Sequence, residues 1–145
     1  MLLEPLSAQN LTAFTQLALE LWPEGDFDEE YAYFQSLIDS ENDLCSLVKE
    51  HDTYVAFLHV SLRTDYVEGA DDAPVAYMEA LYVQPACQNR GIGQRLVEAG
   101  AAWGRQKGCK QLASDTEWNN VASIAFHRKS GFSEANRIVC FIKAI

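Results

Sequence analysis

Two adjoining stretches, Pro74–Val83 (PVAYMEALYV) and Gln84–Gly93 (QPACQNRGIG), decide the fold. The first has the composition of a long strand, rich in β-branched and aromatic residues, and Gln84-Pro85 ends it. The second passes through two glycines into a helix expected from about 91 to 107, with Leu96, Val97, Gly100 and Trp103 inward. Lys107-Gly108 closes that helix as a basic last turn followed by a C-terminal glycine. A strand that feeds a glycine-containing turn and then a helix presents unpaired amides at the helix start. Those amides and the helix dipole both favour an anion such as a pyrophosphate, and Arg90 and Arg95 add positive charge there. The same G-x-G spacing also marks ordinary tight turns. A dinucleotide fingerprint fits less well, because its third glycine would fall at Leu96 and the acid expected some ~20 residues on is not evident.

Outward from this unit the pattern is regular. Ser7 precedes Leu11, Phe14, Leu17, Ala18, Leu21 and Trp22, whose spacing predicts a capped amphipathic helix from about 8 to 22, stopped by Pro23 and Gly25. Tyr31, Phe34, Leu37 and Ile38 predict a second helix from about 27 to 40, with Asp28, Glu29 and Glu30 at its positive end. Leu44–Val48 and Thr53–Arg63 read as an antiparallel hairpin joined by Glu50-His51-Asp52, and Glu68–Asp72 as a loop. Gln111–Ser114 is expected as a short strand, Asn120–Ser130 as a helix ended by Gly131, and Arg137–Ile142 as a final strand. Helices, a meander and then strand–helix–strand–helix–strand predict a mixed α/β sheet, and 145 residues suit one domain spanning 1–145.

Composition narrows the function. The chain opens without the basic start and apolar run of a signal peptide, and no segment approaches the ~20 apolar residues of a membrane span, so a soluble, cytoplasmic protein with no membrane partner is expected. Cys45, Cys87, Cys109 and Cys140 form no C-x-x-C pair and read as reduced and mostly buried, and the three histidines form no metal-ligating cluster, so no metal is expected. A net charge of −10 disfavours nucleic acid. Its distribution is uneven: residues 1–89 carry 17 acids against Lys49 and Arg63, whereas residues 90–145 carry 9 bases against 4 acids. Either the asymmetry is incidental, or the first half meets a cationic substrate and the second a polyanionic cofactor.

Two residues are chemical candidates. Glu79 lies amid Ala76, Tyr77, Met78, Ala80 and Leu81 in an apolar strand, where a carboxylate is costly unless it is functional or held in a structural ion pair. Asp115 ends a strand before a loop, as a ligand group or as a turn cap with Thr116 and Glu117. On the residues alone, Trp22 and Tyr66 read as core aromatics. Cys87 has no neighbouring base in the sequence, which disfavours a covalent acyl-cysteine.

The run Gln88-x-x-Gly91-x-Gly93 after Leu81-Tyr82-Val83, with Asn120 and Phe126-His127-x-x-x-Gly131-Phe132 downstream, resembles the GCN5-related N-acetyltransferase superfamily. The resemblance implies a mixed, mostly antiparallel central sheet flanked by helices, and acetyl-CoA as acyl donor. It implies that Leu81, Tyr82 and Val83, together with Asn89, Arg90, Gly91, Ile92, Gly93 and Gln94, hold the pantetheine and pyrophosphate, and that Asn120 contacts the cofactor arm. His127 stands where many members place a tyrosine that protonates the departing thiolate; it is either that acid or a neutral helix-face histidine.

A closer resemblance spans nearly the whole chain: Leu21-Trp22-Pro23, Arg63–Gly69, Pro74-Val75, Met78-Glu79, Gly108-Cys109, Ala113–Thr116, Asn120 and Ala135–Phe141 look like aminoglycoside 6′-N-acetyltransferases. The positions matching Trp22, Tyr66, Glu79 and Asp115 then belong to the aminoglycoside site. Asn136 joins them, although some relatives carry an acid there. A homodimer is also implied. On this reading Glu79, acting through water, is the candidate catalytic base, and amides beside Leu81 to Val83 polarise the thioester carbonyl. Three other readings stay open: an acetyltransferase for a polyamine or small metabolite amine, which has no need of the acids around Glu79 and Asp115; a protein N-terminal acetyltransferase, whose open peptide groove the acidic 65–79 segment does not suggest; and a non-catalytic acyl-CoA-binding module.

Overall fold

The computed structural model describes all 145 residues. Five strands form one sheet in the order β1 (Leu2–Pro5), β2 (Asp43–Glu50), β3 (Thr53–Arg63), β4 (Val75–Val83) and β5 (Leu112–Ala113). The first four are mutually antiparallel, and β5 runs parallel to β4. Four helices accompany them: α1 (Leu11–Leu21), α2 (Phe27–Leu37), α3 (Ile92–Gln106) and α4 (Val121–Lys129).

Alternation along the strands divides the core between two faces, since successive side chains point to opposite sides. On one face α1 and α2 set Leu11, Phe14, Leu17 and Phe34 against Cys45, Leu47, Phe57 and Ala80. Phe14, Phe34 and Phe57 are fully buried and meet edge-on or tilted at 4.8 Å between centroids, geometry that suits the ring quadrupoles. On the other face α3 packs Ile92, Leu96 and Val97 against Leu58, Val60, Ala76 and Met78.

Several local expectations are corrected. The first helix begins at Leu11 with Asn10, not Ser7, at its cap position. Asn10 is buried, its Oδ1 accepts from Ser7 N at 2.8 Å, and its Nδ2 donates to Pro5 O at 3.0 Å, so the residue joins the end of β1 to the start of α1. The second helix stops at Leu37, where Ile38 turns to extended backbone, and Asp26 caps its start by accepting from Glu29 N. Leu2–Pro5, to which the sequence reading assigned no element, is a strand that pairs with Ser46–Lys49. The expected strand at Arg137–Ile142 is absent: the segment has strand composition, but no strand of this chain pairs with it, and Ile138, Val139, Phe141 and Ile142 are exposed. Two of the four free cysteines, Cys45 and Cys109, are buried, and Cys140 is exposed.

The packing of α3 on the sheet depends on small residues. A Cβ on Gly104 would stand 2.8 Å from the Ala76 Cβ, and one on Gly100 would stand 3.0 Å from a Val60 methyl. Overpacking of this kind costs about 1–3 kcal/mol. Gly104→Ala is therefore expected to lower stability by roughly that amount in urea unfolding, despite alanine's better helix propensity; a variant as stable as the parent would contradict this packing.

Candidate functional site

The β3–β4 pairing carries the first element of the site. Val60 pairs with Met78 and His59 with Ala80, so the register shifts and Glu79 has no partner on β3. Across that point the alternation changes phase: Met78 belongs to the core under α3 and Ala80 to the core under α1 and α2. An extra residue of this kind re-aims a side chain. The Glu79 carboxylate is held from β3. Oε1 accepts from Ser61 Oγ at 2.6 Å and from Arg63 Nε at 3.0 Å, and Oε2 accepts from Arg63 Nη2 at 2.8 Å. The two bonds from one guanidinium form a bidentate, charge-assisted pair, which raises the Arg63 pKa, chiefly through the hydrogen bonding to Glu79.

The same guanidinium lies over the Tyr77 ring, 3.4 Å from its centroid. Tyr77 OH donates in turn to Asp115 Oδ2, two residues beyond β5. Burial, and next the bond to Asp115, push the Tyr77 phenol well above its ordinary range. Glu79 and Asp115 are thus brought into one chain of contacts through Arg63 and Tyr77. Both readings of Glu79 left open by the sequence bear on it, because the carboxylate is ion-paired and also retains 28% side-chain exposure.

The other expected substrate residues fall into separate groups. Tyr66 OH and Asn136 Nδ2 both donate to Glu68, at 2.6 and 2.7 Å, and together hold its carboxyl below the usual carboxylate range, the Tyr66 bond contributing most. Tyr66 is not a core aromatic: it is 82% exposed. Trp22 lies at the end of α1 with its ring edge-on to Phe57 at 6.4 Å, and Phe57 in turn neighbours Tyr82. Neither Trp22 nor the Glu68 group bonds to Glu79 or Asp115.

Sequence reasoning missed Ser61, Arg63, Tyr77 and Glu68 as site residues. A signal existed for the first three. Ser61 and Arg63 are polar at every second position at the end of an apolar strand, and Tyr77 stands two residues before Glu79, so all four share one face of the β3–β4 ribbon.

The expected acetyl-CoA segment has features that fit such a ligand. β5 pairs with β4 only at Ala76 and Tyr77, so that edge of β4 has no strand partner from Met78 to Val83. An open edge presents backbone donors and acceptors that an extended amide-bearing chain can pair with. Further on, Gly91 takes a left-handed conformation at φ 84°, and α3 starts with no side-chain cap and no acid in its first turn. The first bond back to the cap is Arg95 N to Gly91 O at 3.1 Å, so helix geometry leaves the amides of Ile92, Gly93 and Gln94 for an anion. Gly93 is constrained from its other side too, since a Cβ there would lie 2.7 Å from the Phe126 ring on α4.

Two of the residues expected at the cofactor also have partners within the chain. Arg90 pairs with the Glu50 carboxylate, which offsets part of its positive charge. Asn120 caps α4, its Oδ1 accepting from Ser123 N at 3.1 Å, which leaves its Nδ2 for a ligand. His127 is also engaged: Nδ1 donates to Ser123 O at 2.7 Å, and Nε2 lies 2.8 Å from Ser114 Oγ. No group of three or more His, Cys, Asp or Glu residues is arranged to hold a metal ion, and no helix is long and apolar enough to cross a membrane.

Known proteins resemble this chain in sequence and in fold. Residues 11–132 match the acetyltransferase (GNAT) family. The aminoglycoside N(6′)-acetyltransferase type 1 of Stenotrophomonas maltophilia is 42% identical over 129 residues, covering 89% of this chain and 84% of that protein. Its counterpart in Serratia marcescens is 34% identical, covering 94% of each. Among solved structures, the aminoglycoside 6′-N-acetyltransferase AAC(6′)-Ig of Acinetobacter haemolyticus superposes with a TM-score of 0.94 at 31% identity, covering 100% of this chain and 99% of that one. AAC(6′)-Iy in complex with the bisubstrate analogue CoA-S-monomethyl-acetylneamine also gives 0.94, at 29% identity, covering 99% and 97%. With the sheet, the open β4 edge and the uncapped α3 start all in place, the chain belongs to the GNAT acetyltransferase family, among the aminoglycoside 6′-N-acetyltransferases.

Proposed function

We propose that the chain transfers the acetyl group of acetyl-CoA to the 6′-amino group of aminoglycoside antibiotics, and so confers resistance to them. The observation that carries this reading is the pair of carboxylates, Glu79 and Asp115, tied together beside the open edge of β4. Two carboxylates at fixed positions suit an aminoglycoside, whose several ammonium groups are held apart on rigid rings, whereas a neutral acceptor has no use for them. The relatives' activity on aminoglycosides supports the same choice over a small metabolite amine.

In this reading acetyl-CoA supplies an activated acyl group as a thioester. The β4 edge from Leu81 to Val83 pairs with its extended arm, and the amides of Ile92, Gly93 and Gln94 take the pyrophosphate. Asn89, Arg90 and Asn120 are assigned to the same cofactor. An ammonium has no lone pair to attack a carbonyl, so the substrate nitrogen must first lose a proton; Glu79, through water, accepts it. Backbone N–H groups on β4 stabilise the oxygen that gains negative charge as the nitrogen adds. Asp115 pairs with a substrate ammonium, and Trp22, Tyr66 and Asn136 supply aromatic and amide contacts at the rim. With both ring nitrogens of His127 hydrogen-bonded internally, the proton for the departing thiolate is not assigned to it.

Residues 1–145 are taken as one acetyltransferase domain, acting in the cytoplasm as a homodimer. The exposed apolar side chains of Ile138, Val139, Phe141 and Ile142, on a segment with strand composition and no partner strand, support the dimer, since a second copy would cover them.

Glu79→Gln keeps the shape and one acceptor oxygen, gives up a bond from Arg63 because its amide nitrogen cannot accept, and removes the basic carboxylate. It is expected to lower kcat by about 10²–10⁴-fold with acetyl-CoA affinity by calorimetry retained. Asp115→Asn is expected mainly to raise the KM for the drug. Full turnover in Glu79→Gln with only a raised KM would make Glu79 a binding residue and return proton removal to water. Charge gives a second check. Attraction between exposed charges is screened beyond roughly 8 Å at physiological ionic strength, so the aminoglycoside KM is expected to rise with salt. A KM that stays flat from low to physiological salt would remove the electrostatic part of this account.

A further inference from the structure

The acidic half of the chain, residues 1–89, contains two bases, and one of them, Arg63, sits on the carboxylate assigned to the substrate. Its guanidinium has the surroundings of a bound cation: Glu79 accepts two bonds from it, and the Tyr77 face lies 3.4 Å from its central carbon. Tyr77 is in turn tied to Asp115, the second acid of the site. A substrate ammonium that reaches Glu79 therefore meets a place already taken by a cation of the protein. Glu79 Oε1 already accepts from both Ser61 and Arg63, which leaves little capacity for a third donor there.

Arg63 is nevertheless placed to leave. It is the last residue of β3, its side chain is 41% exposed, and residues 64–74 beyond it belong to no helix or strand. Glu79 does not depend on it for position, because Ser61 Oγ holds Oε1 at 2.6 Å. The geometry points to Arg63 as an internal competitor for the substrate ammonium: its guanidinium holds Glu79 until an aminoglycoside ammonium displaces it, which sets the affinity and favours substrates charged enough to win the exchange. This rests on the reading of Glu79 as a substrate-facing group. No bond to carbon forms or breaks in the exchange; one cation replaces another on the same carboxylate. Arg63 acts as a competing cation on Glu79 and takes no part in the transfer itself.

Competition predicts the opposite of what loss of a supporting residue would give. When only a fraction of the protein is free to bind, apparent affinity falls by that fraction, so removing the competitor raises affinity. In steady-state assays with a 6′-amino aminoglycoside, Arg63→Ala is expected to lower KM by roughly 3- to 10-fold, as befits a partly exposed bidentate pair. Added guanidinium chloride, compared with sodium chloride at equal ionic strength, is expected to inhibit Arg63→Ala competitively against the drug by refilling the vacated place, and to do so far less in the parent. Arg63→Lys, which keeps a cation, is expected to keep a KM near the parent's. Arg63→Met keeps the alkyl stem over Tyr77 and carries the KM comparison if Arg63→Ala fails to bind acetyl-CoA. A raised or unchanged KM, or a lowered kcat that guanidinium restores, overturns the proposal and makes Arg63 a support for Glu79. Glu79→Gln is assayed alongside: parental kinetics there overturn the reading of Glu79 and this proposal with it, whereas a Glu79→Gln defect with no fall in KM for the Arg63 variants overturns this proposal alone.

Discussion

The register shift between β3 and β4 is the constraint on which the site depends. In an uninterrupted antiparallel ladder Glu79 would sit opposite a β3 residue, and the alternation of Ala76 and Met78 would continue through Ala80 on the α3 side. One unpaired residue changes both. Ala80 instead joins the core beneath α1 and α2, and Glu79 is set where Ser61 and Arg63 reach it from the end of β3. The carboxylate's energetic problem and its chemical use then have the same solution. A charge in a central strand is tolerable because three donor bonds reach it, and it stays useful because one side remains open to solvent.

The second constraint is the shortness of β5. With β5 pairing only at Ala76 and Tyr77, the sheet ends as a split, and the last part of β4 keeps an unpaired edge that leads into the Gly91 turn and the start of α3. A longer β5 would close that edge. A side chain on Gly93 would push against Phe126 and disturb the junction of α3 with α4, so this glycine serves helix packing as well as the approach of a phosphate. The acceptor side, with Glu79 and Asp115, and the donor side, with the open edge, are thus two stretches of one strand and its neighbours.

Much of this was legible in the chain because it is carried by local signals. The apolar alternation of Thr53–Arg63 and Val75–Val83, the glycine turn and the periodicity of α3 are short-range patterns, and each element lies within a few residues of its expected place. The misses share a cause: they depend on partners distant in sequence. Leu2–Pro5 is only four residues, and its strand character comes from pairing with β2 some forty positions on. Arg137–Ile142 has strand composition, but a strand also needs a neighbour's hydrogen bonds, and none within this chain supplies them. Glu79 stands out as an acid within an apolar strand and Asp115 as an acid at a strand end, whereas the ties through Arg63 and Tyr77 become apparent only once the register is known. Glu68, collecting both Tyr66 and Asn136, joins two segments sixty-eight residues apart and left no pattern to read.

The central claim is that this strand geometry directs acetyl transfer to one amine of a polycationic sugar. The most direct measurement is acetylation by the purified protein of matched aminoglycosides that differ only in bearing an amine or a hydroxyl at the 6′ carbon, with the modified position located by nuclear magnetic resonance. The account predicts acetyl-CoA-dependent turnover of the 6′-amino member, a single product acetylated at that nitrogen, and no turnover of the hydroxyl member. Comparable turnover of both, or acetylation of another nitrogen, would contradict it.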